Sequence, residues 1–205
     1  MTDTTPYPRH DITGVVLAGG RGKRMGGVDK GLVDLHGRPM VMHVIDTLHP
    51  QVGRIIINAN RNVDKYEALG YEVISDIVGD YFGPLAGMAS AMQAASTAYV
   101  LTVPCDSPMI EHDLAKRLYH ALEHEKADAS VAHDGERMHP VFALLKRDLL
   151  PSLQSYLESG ERKIDRWLNQ HRLAVAYFRD KPEAFLNVNS PDDHKVLESK
   201  LGAKR

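Results

Sequence analysis

Short apolar, β-branched runs alternate along this chain with stretches whose apolar residues recur at i, i+3 and i+4. The first kind predicts strands over residues 14–18, 54–57, 72–74, 99–103, 129–132, 141–145 and 173–178. The second predicts helices over 40–48, 63–69, 85–95, 113–125, 148–157 and 163–169. Near the end of the chain, Ser190 suits a helix N-cap and Pro191 the first helical position, and 195–205 reads as the end of that helix and a frayed basic tail. Strands alternating with helices imply crossover connections and a mainly parallel sheet. The fold class is therefore α/β: a doubly wound, Rossmann-like sheet. With no internal repeat, low-complexity tract or Gly/Ser-rich linker, one domain over 1–205 is expected, with 1–12 and 200–205 poorly ordered. Sheets of this class bind ligands beyond the carboxyl ends of their strands, so the residues just after each strand matter most.

Composition narrows the field. At 205 residues, 43% hydrophobic and 25% charged, the chain has enough apolar material for one sizeable core. The net charge of −2 offers no general attraction to a phosphate polymer, so no nucleic-acid partner is expected. Cys105 is the single cysteine and has no C-x-x-C companion, which favours a reducing, cytoplasmic setting and excludes a thiolate zinc or iron–sulfur site. The opening MTDTTPYPRHDI has no apolar core of a signal peptide, and no apolar run approaches the ~18 residues that span a bilayer. No membrane association is expected.

Local charge changes the picture. In the stretch from 17 to 32, LAGGRGKRMGGVDKGL, Gly19, Gly20 and Gly22 follow the first strand, where backbone amides can close on an anion. Arg21, Lys23, Arg24 and Lys30 add four cations against the lone carboxylate of Asp29. A polyphosphate is the anion that best accounts for both features, although glycine loops also serve as plain turns. Two familiar phosphate loops fail on position. The pattern G-x-x-x-x-G-K-[ST] would need glycine at Leu17 and a hydroxyl at Arg24, and G-x-G-x-x-G set on Gly20 and Gly22 meets Met25.

The loop instead resembles the L-x-G-G-x-G-x-R-M signature of nucleotidyltransferases, and in detail the molybdenum cofactor guanylyltransferases. The likeness continues in the same order through NANR (58–61), GPLAGM (83–88), PCDSP (104–108), HDGERMHP (133–140), SGER (159–162) and NVNSP (187–191), spanning about residues 14 to 193. Where family members often carry threonine, this chain has Ser190, and both residues can cap a helix.

The resemblance implies transfer of GMP from GTP to the terminal phosphate of molybdopterin, or of its molybdenum-loaded form, with release of pyrophosphate. It assigns nucleotide binding to Leu17, Ala18, Gly19, Lys30, Asn58, Asp76 and Asp106, and Mg²⁺ binding to Asp106. Lys30 and Arg24, with the amides of Gly20 and Gly22, would hold the triphosphate. In a 3-2-1-4 strand order, the strand before Asp106 lies beside the strand before Gly19, so the carboxylate would face the loop. Asp106 could otherwise cap the following helix. The attacking phosphate monoester has a second pKa of about 6, so no general base is needed. Positioning and charge stabilisation would suffice.

Asn187 and Asn189 alternate along an extended segment and so share a side, where their amides could match the donors and acceptors of a pterin. Residues 83–87 are candidates for the guanine pocket, or a simple strand-to-helix connection. Arg162, Lys163 and residues 137–139 are candidate anion contacts, or a solvated charged face. His120 and His124 lack a third ligand and read as surface residues, Trp167 as a core anchor and Cys105 as an inert buried thiol.

The expected partners are GTP and molybdopterin, with cofactor-delivery proteins or apo-molybdoenzymes as recipients of the product, and a monomeric chain. A cytidylyltransferase for the same cofactor and a sugar-1-phosphate nucleotidyltransferase share the loop signature. A non-catalytic cofactor carrier would need no metal ligand at Asp106.

Overall fold

The computed structural model describes residues 6–20, 28–77, 83–188 and 190–202. In chain order the strands are β1 (Ile12–Leu17), β2 (Asp34–Leu35), β3 (Arg38–Pro39), β4 (Arg54–Asn58), β5 (Glu72–Ile74), β6 (Tyr99–Pro104), β7 (Ala129–His133), β8 (Met138–Lys146) and β9 (Leu173–Tyr177). The helices are α1 (Met40–Leu48), α2 (Val63–Glu67), α3 (Pro84–Ala94), α4 (Leu114–His124), α5 (Leu150–Glu158), α6 (Ile164–Leu168) and α7 (Pro191–Gly202). Among the described residues, seven strands form one sheet in the order β5-β4-β1-β6-β8-β7-β9. The pairs β1–β4, β4–β5, β1–β6 and β7–β9 are parallel, and β8 runs antiparallel to both β6 and β7.

Counted in chain order, the first four long strands stand 3-2-1-4, as the sequence leads one to expect. All six residues of β1 are buried, because each face of the sheet carries helices. On one face α1 presents Met40, Val41, Val44, Ile45 and Leu48, and α4 presents Leu114, Ala115, Leu118 and Leu122. Val44, Ile45, Leu48 and the α4 residues pack there with Val16, Ile57 and Tyr66. On the other, α3, α5 and α6 pack Leu85, Met88, Leu153 and the fully buried Trp167 against Val15, Val100 and Val131. Trp167 is thus the core anchor its pattern predicts. The one polar side chain in β1, Thr13, meets Thr97 Oγ1 at 2.7 Å.

Three features differ from the expected pattern. Strand β8 is longer than 141–145 and is antiparallel, because only four residues separate it from β7, too few for a crossover. The hairpin of β2 and β3 has two-residue strands, too short to show alternation; its turn places His36 (φ 53°) and Gly37 (φ 78°) in the left-handed region. Of the segment 1–12 expected to be poorly ordered, 1–5 lie outside the described residues and 6–12 are tied to the body: Tyr7 donates to the Gln51 carbonyl (2.9 Å) and Ile12 is fully buried in β1. At the other end α7 runs to Gly202, and 203–205 lie outside the described residues. Among the described residues no helix is long and apolar enough to cross a membrane.

Candidate functional site at the carboxyl edge

Because β5, β4, β1 and β6 are parallel, their carboxyl ends share one edge. Leu17 pairs with Asn58 on one side and with Pro104 on the other. Beyond the ladder, Ala18 N donates to the Asn58 carbonyl (2.8 Å) and Cys105 N to the Leu17 carbonyl (3.1 Å). The glycine loop and the turn carrying Asp106 therefore leave from neighbouring strands. Gly19 and Gly20 open that loop; Arg21, Gly22, Lys23 and Arg24 lie outside the described residues. At its far end Lys30 starts a short 3-10 turn, Lys30–Leu32, and its Nζ donates to Asp106 Oδ2 at 2.8 Å. The two side chains are 20% and 14% exposed, so this cation and anion meet in a largely covered position.

Asn58 and Asp76 also come together. Asn58 Nδ2 donates to Asp76 Oδ1 (2.9 Å), Asn60 Nδ2 donates to Oδ2 (2.7 Å), and Asp76 N donates back to Asn60 Oδ1 (2.8 Å). Both carboxylate oxygens of Asp76 are thereby held, which locks the end of β4 to the segment after β5. Asn60 was not singled out from the sequence; its spacing of two from Asn58 in NANR is the signal that could have found it. The GPLAG stretch forms the first turn of α3, with Pro84 at its start. Here Gly87 permits a close approach: a Cβ would stand 2.3 Å from Asn58 Oδ1 and 2.9 Å from Leu17 Cδ2.

Asp106 does not cap the next helix, since α4 begins at Leu114 with Asp113 in the cap position. Its turn is braced by the C-terminal segment instead. Val188 N donates to the Asp106 carbonyl (2.9 Å), and Ser107 Oγ donates to Asn187 Oδ1 (2.6 Å). Asn187 is exposed beside the buried Val188, in keeping with an extended segment, while Asn189 lies outside the described residues. Ser190 and Asp193 then exchange hydrogen bonds, Ser190 N to Asp193 Oδ2 at 2.9 Å and Asp193 N to Ser190 Oγ at 3.1 Å, a reciprocal cap that starts α7.

The description MobA-like NTP transferase domain belongs to the family model that matches residues 14–175. A molybdenum cofactor guanylyltransferase from Shewanella frigidimarina (strain NCIMB 400) is 51% identical over 190 residues, covering 93% of this chain and 97% of the relative. The chain belongs to the molybdenum cofactor guanylyltransferase family. A second such relative, from Shewanella sediminis (strain HAW-EB3), is 50% identical with the same coverage. Among solved structures, molybdopterin-guanine dinucleotide biosynthesis protein A from Archaeoglobus fulgidus superposes with a TM-score of 0.75 at 23% identity, over 94% of this chain and 100% of that one. At that identity it shows a shared fold.

Within this guanylyltransferase-family fold, the other charged motifs are partly engaged by the protein itself. At the end of β7, burial pushes the Asp134 carboxyl up, but donation from Arg137 N–H, His139 Nε2 and Glu136 N–H outweighs it and holds the group below the usual carboxylate range. His139 bonds Asp134 Oδ2 at 2.7 Å and stacks on Phe185 at 4.6 Å, so this imidazole underpins the segment leading to Asn187. Arg162 donates to the carbonyls of Leu157 (2.7 Å) and Glu161 (2.6 Å), and Lys163 is the N-cap of α6. Burial, reinforced by Asp106 and Asp29, pushes the Cys105 thiol well up, so it stays protonated and unreactive. Among the described residues no group of three or more His, Cys, Asp and Glu could hold a metal ion, and His124 on α4 is exposed.

Proposed function

We propose that the chain transfers GMP from GTP to the terminal phosphate of molybdopterin, with Mg²⁺ held by Asp106, giving the guanine dinucleotide and pyrophosphate. The observation that carries this reading is the 2.8 Å contact of Lys30 with Asp106. It joins a cation from the end of the glycine loop to a carboxylate from the neighbouring strand, where a triphosphate and its counter-ion have to meet. Asp106 is a hard oxygen donor without a further His, Cys, Asp or Glu cluster around it among the described residues. That donor set suits Mg²⁺, which takes one or two carboxylates and completes its shell with phosphate oxygens and water. When bound, the ion offsets the triphosphate charge and polarises the α-phosphorus.

The protein's own groups do the rest. Lys30 and Arg24, with amides of Gly19, Gly20 and Gly22, hold the triphosphate; Leu17, Ala18, Asn58 and Asp76 line the nucleotide, and residues 83–87 border its base. Asn187 and Asn189 hold the pterin, so that a phosphate oxygen of molybdopterin attacks in line. A new P–O bond forms at the α-phosphorus as the bond to the bridging oxygen of pyrophosphate breaks. Lys30 stabilises the charge that builds on the leaving group. The nucleophile is already an anion at neutral pH, so no side chain needs to take its proton.

Pyrophosphate release measured with each of the four nucleoside triphosphates, with and without molybdopterin and Mg²⁺, tests the reading. Release is expected with GTP only when molybdopterin and Mg²⁺ are both present. Turnover on a sugar phosphate without molybdopterin would overturn it.

A further inference from the structure

Lys30 is held from both sides by one tyrosine. Asp29, which precedes it and is 8% exposed, accepts from Tyr66 Oη at 2.6 Å through Oδ1 and from Asn62 Nδ2 at 2.9 Å through Oδ2. Arg61 Nε lies 3.7 Å from the same Oδ2, and the Arg61 guanidinium donates to the Val28 carbonyl at 3.0 Å. On the other side of Lys30, Gly31 lies against the same phenol: a Cβ there would stand 2.5 Å from Tyr66 Oη and 3.3 Å from Cys105 Cβ. The backbone closes over this anchor, with Leu32 N donating to the Asp29 carbonyl (3.1 Å) and Val33 N to the Lys30 carbonyl (3.2 Å).

The anchor is rigid at its root. Tyr66 is fully buried on α2, packed in the apolar layer that also holds Val16, Ile57 and Cys105. Burial, with Cys105 and Asp29 close by, pushes the phenol well up, so it remains a donor to Asp29. Asp29 is thus the point at which Tyr66 and Asn62 hold this end of the loop.

We propose that Tyr66 is a positioning residue for nucleotide transfer: through Asp29 and Gly31 it fixes the backbone of Lys30 at the place from which the ammonium reaches the triphosphate. The inference rests on the reading of Lys30 as a triphosphate contact. Phenylalanine at 66 would keep the ring in the core while leaving Asp29 without its shortest donor, in a position too enclosed for water to replace it fully. Lys30 would then sample positions off the phosphate, and the loss would fall on GTP rather than on molybdopterin.

The test is a double-mutant cycle on the full chain, reading GTP dissociation constants by calorimetry with Mg²⁺ and melting temperature alongside. Lys30→Ala is expected to weaken GTP about tenfold or more, as loss of a charge-assisted contact should. Tyr66→Phe is expected to weaken it roughly three- to tenfold in a protein that still melts cooperatively. The double variant should bind within about twofold of Lys30→Ala alone, because the two substitutions act on one contact. In turnover, Tyr66→Phe should raise the KM for GTP and leave that for molybdopterin unchanged. Wild-type affinity in folded Tyr66→Phe, or the same fold-loss with Lys30 present and absent, would overturn the positioning role. Wild-type affinity in Lys30→Ala would instead overturn the reading beneath it, and needs no substitution at 66 to be seen. Should Tyr66→Phe fail to fold, Asp29→Asn, of equal size, carries the same cycle.

Discussion

Asp106→Asn should cut Mg²⁺-dependent turnover by about a hundredfold or more, since on the proposed reading it removes a ligand to the ion that offsets the triphosphate, worth several kcal/mol at the transition state. The substitution keeps the size of the side chain and leaves the Asp106 carbonyl free to accept from Val188 N, so the turn and the C-terminal segment stay in register. Melting temperature should move little. The substitution also removes the anion that pairs with Lys30, so GTP affinity without Mg²⁺ should not fall. Steady-state rates across a Mg²⁺ titration check the result. An unchanged Mg²⁺ dependence with product still forming would remove Asp106 from the metal site.

Lys30→Ala should raise the KM for GTP and lower kcat together, with kcat/KM falling about a hundredfold. On the proposed reading the two effects arise from one group: the ammonium would hold the triphosphate in the ground state and stabilise the leaving pyrophosphate more strongly as charge builds. Lys30→Arg should recover only part of the loss, because a planar guanidinium does not occupy the place of a compact ammonium. Kinetics with GTP and molybdopterin varied in turn separate the two. A rate equal to the parent would contradict the assigned role.

The sheet was legible because its cause is local. Alternating strand and helix periods dictate crossovers; the 3-2-1-4 order common to such sheets then sets the strand before Asp106 beside the strand before Gly19, and the register of Leu17 with Pro104 has that order. The direction of β8 was legible only by a different route: a gap of hairpin length between β7 and β8, with no helix in it, already requires the antiparallel pair. The wiring among the candidate site residues was not readable. Lys30 and Asp106 stand 76 residues apart in sequence, and nothing in either neighbourhood shows that their side chains pair. Asn60 and Tyr66 were passed over for the same reason. Each acts on a carboxylate distant in sequence, 16 and 37 residues away respectively, and a buried tyrosine in an amphipathic helix looks like core until its hydroxyl is traced to Asp29. His139 is a variation on this: its motif suggested either an anion contact or a solvated charged face, whereas Asp134 and Phe185 hold the ring.

The central claim is that the tips of β1 and β6 grip a triphosphate and its metal ion between them, and a crystal structure with GTP and Mg²⁺ addresses it most directly. The account predicts Lys30 Nζ drawn from Asp106 onto a phosphate oxygen, with an Asp106 oxygen about 2.1 Å from the ion. A triphosphate bound away from the carboxyl ends of β1 and β6, with the Lys30–Asp106 pair intact, would contradict it.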